Sequence, residues 1–446
     1  MRIVLKTMYL SIYCGLSLIF LFFLLLMKNN DLNVLSTLEL KLVLDVLVIV
    51  SYKYILERNE FFKKIHNIFF LVFCLFHIGI PFSNFFIGSG DGYFNNYISG
   101  WYYNVYTINS LSLVNVFILM YTALSSLRFV DRGEDKNLYI FKDPYLISIY
   151  KLILSSLVFF WILIVYFIFG IKEYSDIYQE GKAGLLEFFL IFVPSFISFS
   201  FLFLLTNKKS YIFSWIIFLI WAIFAFNLGI RGPVLFPLSI GLFITCKVYN
   251  YNISMLKFLF FFVIFCYMVS YKFFKRSNLD FDYINPFFAL QEMGSSLRPL
   301  NETLVWLENG IYDFQYGITY FAPLERFFIK IFQLYELPLD INDNRLMNIA
   351  ITQNAGPYGF SIIAESYINF GLIGVIILAI SLSLYFNKID NNINILLKNP
   401  FQIIFLIAIF FHIRQAFVGA WGVLLYLSIF YVLIYFTYRV GKKYVR

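Results

Sequence analysis

Long apolar runs separated by short polar stretches make up most of the chain, and most of these runs are hydrophobic on every side. That is the pattern of a helix with apolar surroundings all round. A helix crossing roughly 30 Å of hydrocarbon needs about 20 such residues. On that measure the chain offers about twelve candidates, at 8–27, 38–55, 66–87, 107–127, 146–169, 185–206, 211–229, 233–249, 256–273, 358–386, 400–420 and 422–438. The last two are parted only by the stretch from Gly419 to Gly422. The first follows Arg2 and Lys6, is too long for a signal peptide and has no small-residue cleavage site after it, so it reads as an anchor. One polar interruption, from Lys275 to Gly356, is far longer than the rest. The expected organisation is therefore 1–274 with nine spans, a helical extracytoplasmic segment over 275–357, and 358–446 with three more spans: an all-α polytopic membrane protein.

Composition agrees. Hydrophobic residues are 61% of the 446 and charged residues 13%, with a mean hydropathy of +0.78. No soluble globular domain of this size has such a balance. The net charge of +8 resides in short basic clusters between apolar runs, a topology signal that gives no reason to expect a nucleic-acid partner. Cys14, Cys74, Cys246 and Cys266 each stand alone in an apolar run and read as core residues. His66 and His77 lack a matching ligand set, so neither a metal site nor a cofactor is expected.

Orientation follows from the alternate connections. One set holds nearly all the basic residues, from Arg2 and Lys6 through Lys63, Lys64, Lys208 and Lys209 to Lys442 and Lys443. The short connections of the other set offer only Lys28, Lys172, Lys182 and Arg231. By the positive-inside rule both termini are cytoplasmic, and the long interruption lies outside. Within it, apolar residues recur at helical spacing. Asn285 and Pro286 can start a helix carrying Phe287, Phe288 and Leu290; Pro299 to Glu308, before Gly310, reads as a second and Pro323 to Leu334 as a third. These are expected to lie along the membrane surface.

Ionisable residues at membrane depth cost several kcal/mol each and mark a function or a buried pair. Arg231 stands in Asn227-Leu228-Gly229-Ile230-Arg231-Gly232-Pro233, where Gly and Pro open the backbone around a fixed cation that can fork onto phosphate or serve as an interfacial anchor. Glu365 lies on the order of 10 Å below the outer end of its span, on one face with Ser361 and Asn369 at intervals of four. It reads either as an acid directing a sugar hydroxyl or as the structural partner of an arginine. Arg414 sits at matching depth in the eleventh span, and His412, roughly 200° round the helix, can share its pocket only if the helix is distorted. Arg276, Arg298 and Tyr358 are weaker candidates at the outer end, and Lys41 and Asp45, four apart, are expected to neutralise one another.

The Arg231-Gly232-Pro233 stretch, the region from Gln291 to Leu304, and Gly359-Phe360-Ser361-Ile362-Ile363-Ala364-Glu365-Ser366-Tyr367-Ile368-Asn369-Phe370-Gly371 resemble those of Wzy-type polymerases of O-antigen and capsule repeat units. That resemblance implies a bacterial inner-membrane glycosyltransferase without a nucleotide-sugar site. It would join oligosaccharides carried on undecaprenyl diphosphate at the periplasmic face, with membrane lipids around it and a chain-length regulator and a flippase as partners. It places Arg231, Arg414 and Arg276 on the diphosphate and Glu365 on the acceptor hydroxyl, with Ser361, Asn369, Arg298, Tyr358 and His412 lining the substrate. An O-antigen ligase shares this design. A flippase or transporter is disfavoured because the two halves do not repeat and the charges gather at one side.

Overall fold

A computed structural model describes residues 2–26, 32–58, 60–87, 100–126, 143–168, 183–205, 208–228, 230, 232–277, 285–332, 343–356 and 359–444. Among these the regular structure is helical throughout. In chain order the helices are α1 (Arg2–Leu26), α2 (Leu32–Leu56), α3 (Ile65–Ile87), α4 (Val105–Ser126), α5 (Pro144–Leu163), α6 (Ala183–Phe203), α7 (Lys208–Asn227), α8 (Gly232–Val248) and α9 (Met255–Ser277). Then come α10 (Phe287–Gly294), α11 (Arg298–Glu308), α12 (Ile318–Phe332), α13 (Met347–Asn354), α14 (Ile362–Asn391), α15 (Asn394–Lys398), α16 (Pro400–His412) and α17 (Phe417–Tyr444).

Each of the twelve apolar stretches falls on a helix, and seven of the described helices are long and apolar enough to cross a membrane. Four more are apolar but shorter. The remaining one, α2, carries Glu39, Lys41, Asp45 and Lys53. Lys41 and Asp45 do neutralise one another, at 2.6 Å, and Ser17 and Tyr13 complete the carboxylate's hydrogen bonds. The eleventh stretch is corrected: its helix ends at His412, so α16 is 13 residues and about 20 Å long, and the break before α17 falls at 413–416 instead of 419–422.

The chain divides into two compact units. The first comprises Met1–Arg132, Asn252–Asn391 and His412–Val418. Its centre is the packing of α3, α4 and α14, with α10 and α11 laid against them. Asp390 anchors the start of α3: its carboxylate accepts from the N–H groups of Ile65 and His66 and from the His66 ring at 2.5 Å. These are donors that a helix start leaves open. Leu16, Phe22, Phe23 and Leu26 of α1 are exposed, as an apolar helix bathed in lipid would be.

Two helices of the long interruption, α10 and α11, are packed into the first unit, whereas α12 leaves Ile318, Phe321 and Phe328 exposed. α10 crosses α3 where two glycines meet, and a Cβ on Gly79 would stand 2.1 Å from the Leu290 carbonyl oxygen, one on Gly294 2.4 Å from the Ile80 nitrogen. Gly79 lies eight residues before the end of α3, about 12 Å along its axis, so α10 is sunk into the unit. α11 is tied to α4 by Asn301, whose amide donates to the Thr107 hydroxyl at 2.6 Å and to the Trp101 carbonyl at 3.1 Å. Its apolar face, Leu297, Leu300, Leu304 and Trp306, is buried by that packing. α12 starts at Ile318, behind Gly317 at φ +94°, and so includes Pro323 in its second turn.

The second unit comprises Gly133–Tyr251, Asn392–Phe411 and Gly419–Arg446. Here α6 packs on α5, α7 and α8. Asp143 caps α5, accepting from the N–H groups of Tyr145 and Leu146, and Pro144 sits at the first helical position, where its missing N–H costs nothing. Tyr438 of α17 donates its hydroxyl to the other oxygen of Asp143.

Candidate active site

A buried acid in the first unit is positioned by a break in its own helix. The backbone of α14 leaves helical geometry at Phe370 and at Gly371, where φ is +59° and ψ is −149°, a conformation that glycine alone adopts freely. The carbonyls at the break are taken by the chain before α12: Ile368 O accepts from Gln315 N–H at 2.9 Å and Asn369 O from Tyr316 N–H at 3.1 Å. Asn369 completes the seam. Its Oδ1 accepts from Gly317 N–H at 2.7 Å, and its Nδ2 donates to Thr319 Oγ1 and to Glu365 O, each at 2.7 Å. An apolar run thus ends in a capped eight-residue helix, 362–369, before the chain resumes as the long remainder of α14.

The start of that short helix is fixed from α3. Ser361 Oγ accepts from Ile363 N–H at 3.3 Å, an N-cap bond, and lies 2.7 Å from His77 Nε2. Because His77 Nδ1 lies 3.0 Å from the Phe73 carbonyl, which can only accept, the proton is on Nδ1 and the serine hydroxyl donates to Nε2. Both side chains are fully buried.

Glu365 stands one turn further along and is 1% exposed. Its Oε2 accepts from the N–H of Phe417, the first residue of α17, at 2.6 Å. Open N–H groups and the positive end of the helix dipole favour a carboxylate there. The Thr319 hydroxyl lies against the same carboxylate. Tyr320 stacks edge-on against the Phe417 ring at 5.1 Å and places its hydroxyl 3.2 Å from Ser366 Oγ. From the other side His412 meets the Phe417 ring edge-on at 5.7 Å, and its Nδ1–H donates to the Gln415 carbonyl at 2.8 Å. That bond leaves Nε2 of His412 as an acceptor.

Among the described residues Glu365 forms no ion pair, so it is not the structural counter-charge of an arginine there. A carboxylate held by one main-chain amide, with the Thr319 hydroxyl against it, can accept a proton from a further hydroxyl or orient it.

The other expected site residues fall as follows. Ser361, Glu365 and Asn369 share one buried stripe, as their spacing predicts, but each is bound to a different element. Arg414 lies in the turn after α16, outside any helix, and meets the segment at Gly359: a Cβ there would stand 2.3 Å from the Arg414 carbonyl oxygen. The Arg414 guanidinium lies over the Phe76 ring at 5.5 Å. The same turn supplies the distortion that separates His412 from a continuous helix. Arg298 binds Glu302 at 3.2 Å and the Ala355 carbonyl at 3.4 Å, with its guanidinium 5.9 Å from the Trp101 ring. Arg231 and Tyr358 lie outside the described residues, as does the side chain of Arg276. Sequence reasoning missed His77, Thr319 and Phe417.

Over residues 11–444 the chain matches the family model described as O-antigen polysaccharide polymerase Wzy. The chain belongs to that family. Wzy polymerases are glycosyltransferase-type enzymes of polysaccharide biosynthesis, and this chain, a member with seven described helices long and apolar enough to cross a membrane, is an integral membrane protein. It is also similar to "Protein CapE" of Staphylococcus aureus, 28% identical over 298 residues. That alignment covers 62% of this chain and spans 63% of the relative's length. No solved structure matches. The family match covers every described residue of the acid's surroundings, from His77 through Thr319 and Tyr320 to Glu365, His412 and Phe417.

Proposed function

We propose that the chain polymerises oligosaccharide repeat units delivered on undecaprenyl diphosphate, at the outer face of the cytoplasmic membrane, with both termini inside and about twelve crossings. The observation that carries this reading is Glu365, an acid buried with no cation against it among the described residues, in a family of glycan polymerases. In the proposed step a hydroxyl at the non-reducing end of one unit attacks the anomeric carbon of the growing chain. The hydroxyl's proton passes to the Glu365 carboxylate, the bond from the anomeric carbon to the phosphate oxygen breaks, and undecaprenyl diphosphate leaves with both electrons of that bond. Direct attack inverts the anomeric carbon. No metal and no nucleotide sugar take part.

Arg414 is assigned to the diphosphate, where a guanidinium matches the charge that develops on the leaving group. Arg276 and Arg231 are assigned the same chemistry on their sequence setting. Ser361 and Asn369 hold the acid's helix, and Arg298, Tyr358 and His412 are assigned to the glycan. A chain-length regulator and a flippase remain the proposed partners.

The test is complementation of a deletion strain with Glu365→Ala, Arg414→Ala, Arg276→Ala and Arg231→Ala, each at matched membrane levels. The expected result is single repeat units in place of long polymer for Glu365→Ala and shortened polymer for the arginine variants. Long polymer from all four ends the assignment. Full-length polymer that fails to be attached, in the deletion strain itself, identifies a ligase instead.

A further inference from the structure

A second buried carboxylate in the first unit is unused by this step. Glu39, two turns into α2, is 8% exposed. One of its oxygens, Oε1, accepts from Asn84 Nδ2 at 2.9 Å and from the Tyr102 hydroxyl at 2.5 Å. No described residue donates to Oε2, and the nearest cation in sequence, Lys41, is committed to Asp45.

Beside this carboxylate, Asn84 Oδ1 and the Tyr103 hydroxyl, which lies against the Asn84 amide, are enclosed and complete no hydrogen bond among the described residues, and two further enclosed atoms without one, Ser83 Oγ and Trp101 Nε1, belong to residues close to them in sequence. Buried polar groups are almost always satisfied, and leaving one unpaired is costly, so a cluster of them calls for an occupant. Acceptors and donors are interleaved here, and the rings of Trp101, Tyr102 and Tyr103 offer apolar faces beside them. Vicinal hydroxyls on a pyranose ring each need one donor and one acceptor, and the ring's C–H face suits an aromatic wall.

The location fits too. Asn84 is seven residues beyond His77 on α3, so the two share a face roughly 10 Å apart. His77 holds the helix of Glu365, and Arg298 links the Trp101 ring to the Ala355 carbonyl just ahead of that helix. Acid and cluster are thus built on one frame.

We infer that Glu39, Asn84, Trp101, Tyr102 and Tyr103 form a subsite for the hydroxyls of the repeat-unit glycan. The inference rests on the proposed polymerase reading, which supplies the glycan.

The experiment uses the full chain in lipid nanodiscs, with two probes: the free repeat-unit oligosaccharide, released by mild acid from the lipid-linked unit of a polymerase-deficient strain, and undecaprenyl diphosphate without sugar. Binding is followed by saturation-transfer NMR, and polymerisation by KM and kcat. Glu39→Gln keeps an acceptor for Tyr102 and Asn84 and changes only the open oxygen. Tyr103→Phe removes a hydroxyl that lies against the Asn84 amide but completes no hydrogen bond among the described residues, so its melting temperature should hardly fall, and it carries the test if Glu39→Gln fails to fold. Each variant is expected to weaken oligosaccharide binding about tenfold and to raise KM with kcat nearly unchanged, as lost hydrogen bonds to a ligand do. Undecaprenyl diphosphate binding should not change. Equal oligosaccharide binding by the wild type and Tyr103→Phe overturns the subsite while leaving polymerisation intact, as does a wild type that polymerises without binding the free sugar. A wild type that binds the sugar in a Tyr103-dependent way but makes no polymer overturns the polymerase reading and leaves the subsite standing.

Discussion

The main-chain N–H of Phe417 donates to Oε2 of Glu365 at 2.6 Å, joining residues 52 apart in sequence and setting the acid at the first turn of the last helix. The bond does not require a charge on the side chain. Glu365→Gln therefore keeps an acceptor for Phe417 while removing the group that takes a proton. It should melt within a few degrees of the wild type and lose polymerisation by about 10²-fold or more, the usual worth of a general base. Polymer length on gels and thermal unfolding in detergent check both halves, and a variant that unfolds and is inactive together would point to a purely structural acid.

The His77–Ser361 contact gives a second expectation. Ser361→Ala removes an N-cap, worth about 0.5–2 kcal/mol, and strands Nε2 of His77 in an apolar interior. His77→Phe in the wild type should also destabilise, whereas the same change in the Ser361→Ala background should cost much less, because no partner remains to be orphaned. A double-mutant cycle on thermal stability measures that coupling. Additive effects would mean that the two side chains do not depend on each other.

At Gly79 and Gly294 the two backbones leave no room for any side chain. Gly294→Val and Gly79→Leu should each separate α10 from α3, at a cost above the about 1–3 kcal/mol typical of an overpacked core, because the obstacles are backbone atoms that cannot rotate aside. Reduced membrane levels and a lower melting temperature are the readouts. Gly310, whose Cβ would meet open space, is the control for position, with a left-handed φ of +66° that alone disfavours a side chain.

Asp343 lies outside the apolar helices and carries a pH dependence. Burial raises its carboxyl, but hydrogen bonds from Arg345 and Arg326 outweigh burial and hold it below the ordinary carboxylate value. A depressed acid stabilises the folded state above its unfolded value, about 3.9, and that stabilisation is lost as pH falls through the folded value. Amide protection over 343–354 should therefore be flat near neutrality and fall in strong acid. Asp343→Asn should lower protection near neutrality and remove the acid transition; an unchanged transition in that variant would assign it to another group.

Much of this was legible from residue spacing. Intervals of four put Ser361, Glu365 and Asn369 on one face because a continuous eight-residue helix does join them. The helix starts at Asn285 and near Pro299 were readable from capping chemistry, and the Asn285 side chain accepts from Phe287 N–H at 3.0 Å. What spacing cannot supply is pairing across the chain. His77 was passed over as a histidine without ligands, since its partner is 284 residues away and a lone histidine in an apolar run carries no sign of it. The break after Asn369 was hidden inside an apolar run long enough to cross a membrane without interruption, although Asn-Phe-Gly is a helix-ending signal in other settings. The depth of α10 was lost for the same reason: an amphipathic pattern reports one apolar face and is silent on whether lipid or protein covers it.

The severed helix has a mechanical consequence. Beyond Gly371, α14 exposes Ile373, Ile377 and Leu384 and runs on to Asn391, whereas the eight residues carrying Glu365 are sewn to their neighbours at both ends. A change in bilayer thickness would tilt the long piece, and because the helical hydrogen-bond ladder is interrupted at Phe370–Gly371 that tilt need not be passed on to the short one. The acid is thereby insulated from the lipid in which its own chain is rooted.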